Sequence, residues 1–157
     1  MAKNKTNSRQ STIMFTDIVG YSKMVEKDEA HAIKILNEHN QLIEAVIREN
    51  SGKIIKHIGD AVFAEFPSTV DAVNSAILFQ NKFKDRNALC RKEDCIVVRA
   101  GIHKGEVIEQ DDDLFGNAVN LGSRIEGTAP PGGIAISDIV KKEFNNNILV
   151  REMGHVK

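Results

Sequence analysis

Two aspartates in this sequence stand where a carboxylate needs a physical reason. Asp17 lies in Ser11-Thr-Ile-Met-Phe-Thr-Asp17-Ile-Val-Gly20-Tyr-Ser22, where a β-branched and aromatic run leads to an acid and then to a glycine. Such a run reads as a buried strand. An unpaired carboxylate at its tip is costly. Asp60 lies in Lys53-Ile-Ile-Lys56-His-Ile-Gly59-Asp60-Ala-Val-Phe-Ala-Glu-Phe66, where two short apolar strands flank a Gly-Asp turn. If the first strand lies beside this hairpin, the two aspartates meet at one edge. Hard oxygen ligands in that position suit Mg²⁺ or Mn²⁺. Taken singly, each has a local alternative. Gly-Asp is common turn chemistry, and an aspartate after a strand is a common helix N-cap.

Four further polar positions have chemistry and a bland alternative. Asn120 and Arg124 are four apart and share a face if they lie on a helix; alone, Arg124 reads as a solvated helix charge. Asp113 closes an acidic run, Asp111-Asp-Asp113, which alone reads as solvated. Arg99 sits inside an apolar run and on its own fits a strand-edge structural role.

The elements that must position these residues follow from periodicity. A helix is expected from about Asp28 to Glu49, with Ile35, Leu36, His39, Leu42, Ile43, Val46 and Ile47 on one stripe. His39 on that stripe reads as a packed or interface histidine rather than a ligand. Asn50-Ser-Gly52 ends the helix, and the Lys53 to Phe66 hairpin follows. Pro67-Ser-Thr opens a second helix, Val70 to about Asn87, then a polar loop. Ile96 to Ile102 reads as a strand, turned at Lys104-Gly105 and returning through Glu106 to Glu109. A third helix is expected from Asn117 to Glu126. After Pro130-Pro-Gly-Gly133 come a short strand, Ile134 to Ile136, a short helix capped by Ser137, and a last strand from Ile148. The order β-α-β-β-α-β predicts an α+β fold, a ferredoxin-like split βαβ sandwich. That fold hosts many functions and selects none.

The chain has 157 residues, enough for one domain with a real core. A formal net charge of −1 argues against wrapping nucleic acid or binding a membrane through a polybasic surface. No apolar run approaches a membrane span and no secretory signal is present, so a cytoplasmic domain is expected. Cys90 and Cys95 do not have zinc spacing and read as free thiols in a reducing compartment. Residues 1–10 read as a polar linker or N-terminal arm, and residues 11–157 as the domain.

Several motifs in order carry a resemblance. Phe15-Thr-Asp17-Ile-Val-Gly20-Tyr-Ser22, Gly59-Asp60, Arg99-Ala-Gly101-Ile-His103-Lys-Gly105-Glu and Asp113-Leu-Phe-Gly116-Asn-Ala-Val-Asn120-Leu-Gly-Ser-Arg124 resemble the catalytic domain of class III nucleotide cyclases. The resemblance covers roughly residues 11 to 156. It implies a palm-like catalytic fold in which the 3′-hydroxyl of a nucleoside triphosphate attacks its own α-phosphate and pyrophosphate leaves. Two divalent cations, Mg²⁺ or Mn²⁺, are implied. The resemblance assigns them to Asp17, Asp60 and the backbone carbonyl of Ile18. It gives phosphate contacts to the turn of Val19, Gly20, Tyr21 and Ser22 and to Arg99. It makes Asn120 and Arg124 the catalytic pair, on the ribose and the α-phosphate.

Lys56 and Asp113 resemble the family's base-reading pair. Lysine donates and aspartate accepts, which complements adenine; guanine has the reverse pattern. The implied activity is therefore adenylate cyclase, ATP to 3′,5′-cyclic AMP. The alternatives are a guanylate cyclase or a catalytically weak nucleotide-binding regulatory module. In the family, cation ligands come from one subunit and the base-reading and catalytic residues from its partner, which implies a head-to-tail homodimer. It also implies a fused regulatory or sensor domain in the parent protein. The family usually continues into a strand with a Leu-Lys-Gly-like segment, whereas this sequence stops at Gly154-His-Val-Lys157. A domain short at its C-terminus is the expectation.

Overall fold

The computed structural model describes residues 7–144 and residue 154. Its centre is a long strand, β1 (Asn7–Ile18), buried on both faces from Ser11 to Thr16. It pairs antiparallel with β3 (Ala61–Phe66) on one side and β4 (Val98–Gln110) on the other. The sheet order is β2-β3-β1-β4-β5, with β2 spanning Lys53–Ile58 and β5 spanning Asp113–Phe115. A sixth strand, β6 (Ile134–Ile136), runs parallel to β4.

Alternation along β1 divides the core. Met14 joins one cluster with Ile43, Ile47, Phe79 and Phe83. These come from α2 (Glu29–Glu49) and α3 (Thr69–Asn87), the two helices of the β-α-β-β-α-β order. Ile13 and Phe15 face the other way, onto Phe63, Val107, Leu114 and Ala118. Ala118 belongs to α4 (Asn117–Gly127), which covers that face. Phe15 and Phe63 stack with centroids 4.4 Å apart. The α+β split βαβ architecture is as the periodicity indicates. Among the described residues no helix is long and apolar enough to cross a membrane.

Five expectations need correction. Residues 7–10 are not linker or arm: they pair with Glu106 to Glu109 as the first rungs of β1. Residues 1–6 lie outside the described residues. Lys104-Gly105 does not turn the chain; β4 runs unbroken through it, because β1 supplies ladder partners along its whole length. Gly105 serves a close approach instead, since a Cβ there would sit 2.8 Å from the Ala118 side chain. Ile96 precedes β4 rather than starting it. Finally, a separate short helix, α1 (Tyr21–Lys27), precedes α2, and Asp28 both ends the first and caps the second through His31 N–H. The last helix, α5 (Asp138–Glu143), begins after Ser137. The Ser137 hydroxyl bonds His103 Nδ1 at 2.8 Å rather than capping. The expected strand from Ile148 and the Gly154-His-Val-Lys157 tail fall on residues outside the description, except for residue 154.

Candidate active site

Asp17 and Asp60 meet because the β1–β3 ladder ends one step too early. The last paired rung is Thr16 with Val62. Ile18 N–H beyond it would lack an acceptor, and Asp60 Oδ2 takes that bond at 2.8 Å. Asp60 can do so because Gly59 and Asp60 form a two-residue hairpin loop closed by Ile58 and Ala61. Gly59 has φ 62°, the left-handed geometry such a loop requires and glycine supplies. Both carboxylates and the Ile18 carbonyl therefore belong to one end of the sheet.

Across β4, Arg99 stands opposite Asp17 in the ladder. Its Nε donates to Ala129 O at 3.0 Å, and Nη1 lies 4.0 Å from Asp17 Oδ1. Asp17 Oδ1 is buried with no hydrogen-bond partner. That is the state expected of a ligand atom awaiting a cation, and oxygen donors from Asp17, Asp60 and Ile18 fit Mg²⁺ or Mn²⁺. Among the described residues no three His, Cys, Asp or Glu side chains form a ready metal cage.

The turn after Asp17 departs from expectation at one residue. Val19 N–H already donates to Val97 O at 2.8 Å, so it is not available to a phosphate. Gly20, with φ 75°, is the N-cap of α1. The amides of Tyr21 and Ser22 open that helix, where N–H groups have no intrahelical acceptor. Ser22 is exposed.

Lys56 and Asp113 come from β2 and β5, the two ends of the strand order, yet Lys56 Nζ lies 2.8 Å from Asp113 Oδ2. The sheet must curl for its edges to meet this way. The β2 register shifts between Ile54 and Lys56, an irregularity of the kind that re-aims a side chain. On the other strand, Asp111 and Asp112 both have positive φ and form the tight turn, so Asp113 is the first residue of β5. The acidic run is thus two exposed turn residues followed by one half-buried carboxylate. The Lys56 hydrogen bond holds Asp113 below the usual carboxylate range.

Asn120 and Arg124 are both exposed on α4. Ala118, Gly122, Ile125 and Glu126 form its buried face. At 100° per residue, Glu126 projects nearly opposite to Arg124. The pair therefore looks away from the chain's own Asp17, and Glu126 looks toward it. Glu126 was not expected from sequence. It is buried against Asp17, and desolvation first, then the Asp17 carboxylate, push its pKa up, partly offset by Arg99. The one sequence signal was Gly101: a Cβ there would meet Glu126 Cα at 2.4 Å, so glycine marks where the helix touches the strand.

A cavity of about 660 Å³ lies at the other end of β1, lined by Arg9, Lys53, Glu65, Lys104 and Glu143 among others. It holds neither Asp17 nor Asp60. Its charges are bonded to one another, Arg9 to Glu65 and Glu109, and Lys104 to Glu143. Size alone does not make it the site.

The family profile described as "Adenylate and Guanylate cyclase catalytic domain" matches residues 4–157. "Putative adenylate cyclase 3" of Rhizobium meliloti (strain 1021) is 37% identical over 139 residues, 88% of this chain and 24% of that protein. "Adenylate cyclase" of Anabaena cylindrica is 34% identical over 163 residues, 93% of this chain and 30% of that one. The chain thus spans less than a third of these relatives. The crystal structure of an adenylate/guanylate cyclase/hydrolase from Silicibacter pomeroyi superposes with a TM-score of 0.89 at 29% identity, covering 98% of this chain and 92% of its own.

Proposed function

The chain belongs to the adenylate and guanylate cyclase catalytic domain family, and from that premise we propose that it is an adenylate cyclase domain converting ATP to 3′,5′-cyclic AMP and pyrophosphate. The observation that carries the choice of ATP is the Lys56–Asp113 pair, joined at 2.8 Å. The lysine donates to an adenine ring nitrogen and the aspartate accepts from its exocyclic amine; guanine would meet donor with donor.

In the reaction, the ribose 3′-hydroxyl gives its proton to solvent as its oxygen bonds to the α-phosphorus, the bond from that phosphorus to the β-bridging oxygen breaks, and pyrophosphate departs. Two divalent cations, Mg²⁺ or Mn²⁺, held by Asp17, Asp60 and the Ile18 carbonyl, would make the hydroxyl more acidic and neutralise triphosphate charge. The residues supply orientation and charge. Asn120 orients the ribose. Arg124 meets the negative charge gathering on the α-phosphate. The Gly20, Tyr21 and Ser22 turn and Arg99 receive the remaining phosphate oxygens.

These groups serve one site only if two copies meet. Support comes from α4, whose Asn120 and Arg124 turn outward while Asp17 lies behind the helix's buried face. A head-to-tail homodimer offers the outward set of one copy to the cation edge of the other, giving two equivalent sites. We place the domain in the cytoplasm, where ATP is abundant and the free Cys90 and Cys95 stay reduced. We also propose that a regulatory domain is fused to it in the parent protein, consistent with the small share of its relatives that it covers.

The test is incubation of the chain with Mn²⁺ and either ATP or GTP, followed by chromatographic separation of products. Cyclic AMP from ATP, well above cyclic GMP from GTP, is expected. Cyclic GMP as the main product overturns the base assignment. No cyclic nucleotide at concentrations where the chain is dimeric overturns the activity.

A further inference from the structure

Glu126 has no part in the scheme above, yet its placement demands one. The side chain is 8% exposed, and its Oε2 has no hydrogen-bond partner. Asp17 Oδ1 is in the same condition. Asp17 is the charged group that acts most on Glu126, ahead of Arg99 and Asp60. A buried carboxyl group beside the partly exposed Asp17 carboxylate, each with a buried oxygen lacking a donor, is expensive. Arg99, the nearest cation, spends its Nε on Ala129 O and only reaches 4.0 Å from Asp17. The contact is also built in: only a glycine at 101 lets α4 descend far enough to bring Glu126 to this edge.

We propose that Glu126 is a positioning residue of the cation site, accepting hydrogen bonds from the hydration shell of a divalent cation held by Asp17 and Asp60. It acts through water rather than as a third direct ligand, because the carboxyl groups do not converge into a three-ligand cage among the described residues. Magnesium favours such an arrangement, since it keeps several waters when protein-bound. Glu126 adds a third carboxyl group around the ion, from the helix that also carries Asn120 and Arg124 to the opposite side. The inference rests on the reading of Asp17 and Asp60 as cation ligands.

The experiment uses the full chain as wild type, Glu126→Gln, Glu126→Ala and Asp17→Asn, with Mn²⁺ alone as the probe. Free Mn²⁺ is followed by its electron paramagnetic resonance signal, and thermal unfolding is recorded without metal. Loss of an outer-shell acceptor is expected to weaken Mn²⁺ binding roughly tenfold. Glutamine has the shape of glutamate but no charge to offer metal-bound water, so Glu126→Gln is expected to weaken Mn²⁺ binding while leaving the metal-free Tm near that of the wild type. A glutamate needed only for packing would leave Mn²⁺ binding unchanged. Glu126→Ala should weaken Mn²⁺ binding in the same way, and serves if the glutamine variant folds poorly. Wild-type Mn²⁺ affinity in the folded Glu126 variants overturns the inference. If Asp17→Asn abolishes binding while those variants do not weaken it, only the role of Glu126 falls. If Asp17→Asn binds Mn²⁺ like the wild type, the cation reading falls and this inference with it.

Discussion

The two ends of strand β1 treat their charges in opposite ways. At the first end Arg9 is bonded to Glu65 and Glu109, and Ser11 donates to Glu65 at 2.6 Å. Beside them Lys104 holds Glu143 at 2.8 Å, and the Thr69 hydroxyl reaches the same carboxylate at 3.0 Å. Burial alone would push Glu65 up, yet Arg9 and Ser11 hold it below the usual range. At the second end Asp17 Oδ1 and Glu126 Oε2 are buried without partners, and Glu126 is pushed upward. One end pairs its carboxylates with cations and hydroxyls; the other leaves two buried carboxyl oxygens without a donor. Thr16 Oγ1, Ser75 Oγ and His39 Nε2 are also buried without partners, but among the described residues only Asp17 and Glu126 orphan carboxyl oxygens, and that points to a site better than the cavity does.

The largest way to break this contrast is to remove Asp17. Asp17→Ala is expected to lower cyclase activity by about 10³-fold or more, the scale of losing principal transition-state charge stabilisation. Its Tm should change little, because Asp17 Oδ1 has no hydrogen-bond donor and its cation neighbour, Arg99, lies 4.0 Å away. Substantial metal-dependent turnover in this variant would end the assignment. Mixing inactive Asp17→Ala with inactive Arg124→Ala sharpens the same point. Half of randomly formed dimers are heterodimers with one intact site of two, so about one quarter of wild-type activity should return. No recovery despite proven subunit exchange would contradict sites shared between copies.

Next in size is the base-reading pair, which is paired like the first end but exposed. The Lys56 side chain is 43% exposed and that of Asp113 25%. Such an ion pair contributes at most about 1 kcal/mol to stability. Lys56→Glu with Asp113→Cys is therefore expected to leave Tm nearly unchanged while lowering kcat/KM for ATP by about 10²-fold, because mismatched donors and acceptors are left unpaired. Unchanged ATP preference would show that the pair belongs with the structural charges.

What the sequence made legible divides along the same line. The strand at Ser11, the hairpin at Gly59-Asp60 and the helices after Asp28 and Pro67 are local patterns, and apolar periodicity suffices to place them. The acidic edge was legible because a carboxylate after an apolar run is a local anomaly. Glu126 was not, since on a helix it looks like any solvated charge; only the close approach at Gly101 buries it. The Lys104-Gly105 turn was misread because a glycine that admits a neighbouring helix has the same sequence signature as one that turns the chain. Residues 7–10 looked like linker because their partners, Glu65 and Glu109, are distant in sequence.

A smaller effect is expected at the completed end. Arg9→Ala removes the cation that satisfies Glu65 and Glu109, and should cost about 1 to 2 kcal/mol of stability, the usual cost of stranding a charged, partly buried acceptor. Specific activity of the folded variant should match the wild type. A large activity loss with unchanged Tm would mean that this end also serves the reaction, and the contrast would fail.

The smallest expected effect tests whether an orphaned buried atom must carry charge to mark a site. His39 is fully buried and stacks on Phe83 with centroids 5.8 Å apart. Its Nδ1 meets Asn40 Oδ1 at 2.9 Å, but Nε2 has no partner. Desolvation lowers its pKa, opposed by Asn40 and by the more distant charges of Asp60 and Glu44. The folded chain thus keeps His39 neutral at a pH where the unfolded chain would protonate it. Below an unfolded pKa near 6.5, the unfolded state binds the extra proton, so stability falls as pH falls through that value. Lowering pH from about 7.5 to about 5.5 should therefore reduce stability through this residue, measured as a fall in the urea midpoint. His39→Phe keeps the stacking ring, removes the titration, and should flatten that part of the pH profile without changing Mn²⁺ binding or specific activity at neutral pH. If His39→Phe instead weakens Mn²⁺ binding, an uncharged orphan in the core is coupled to Asp60 after all, and the distinction between it and the orphaned carboxyl groups at the end of β1 no longer holds.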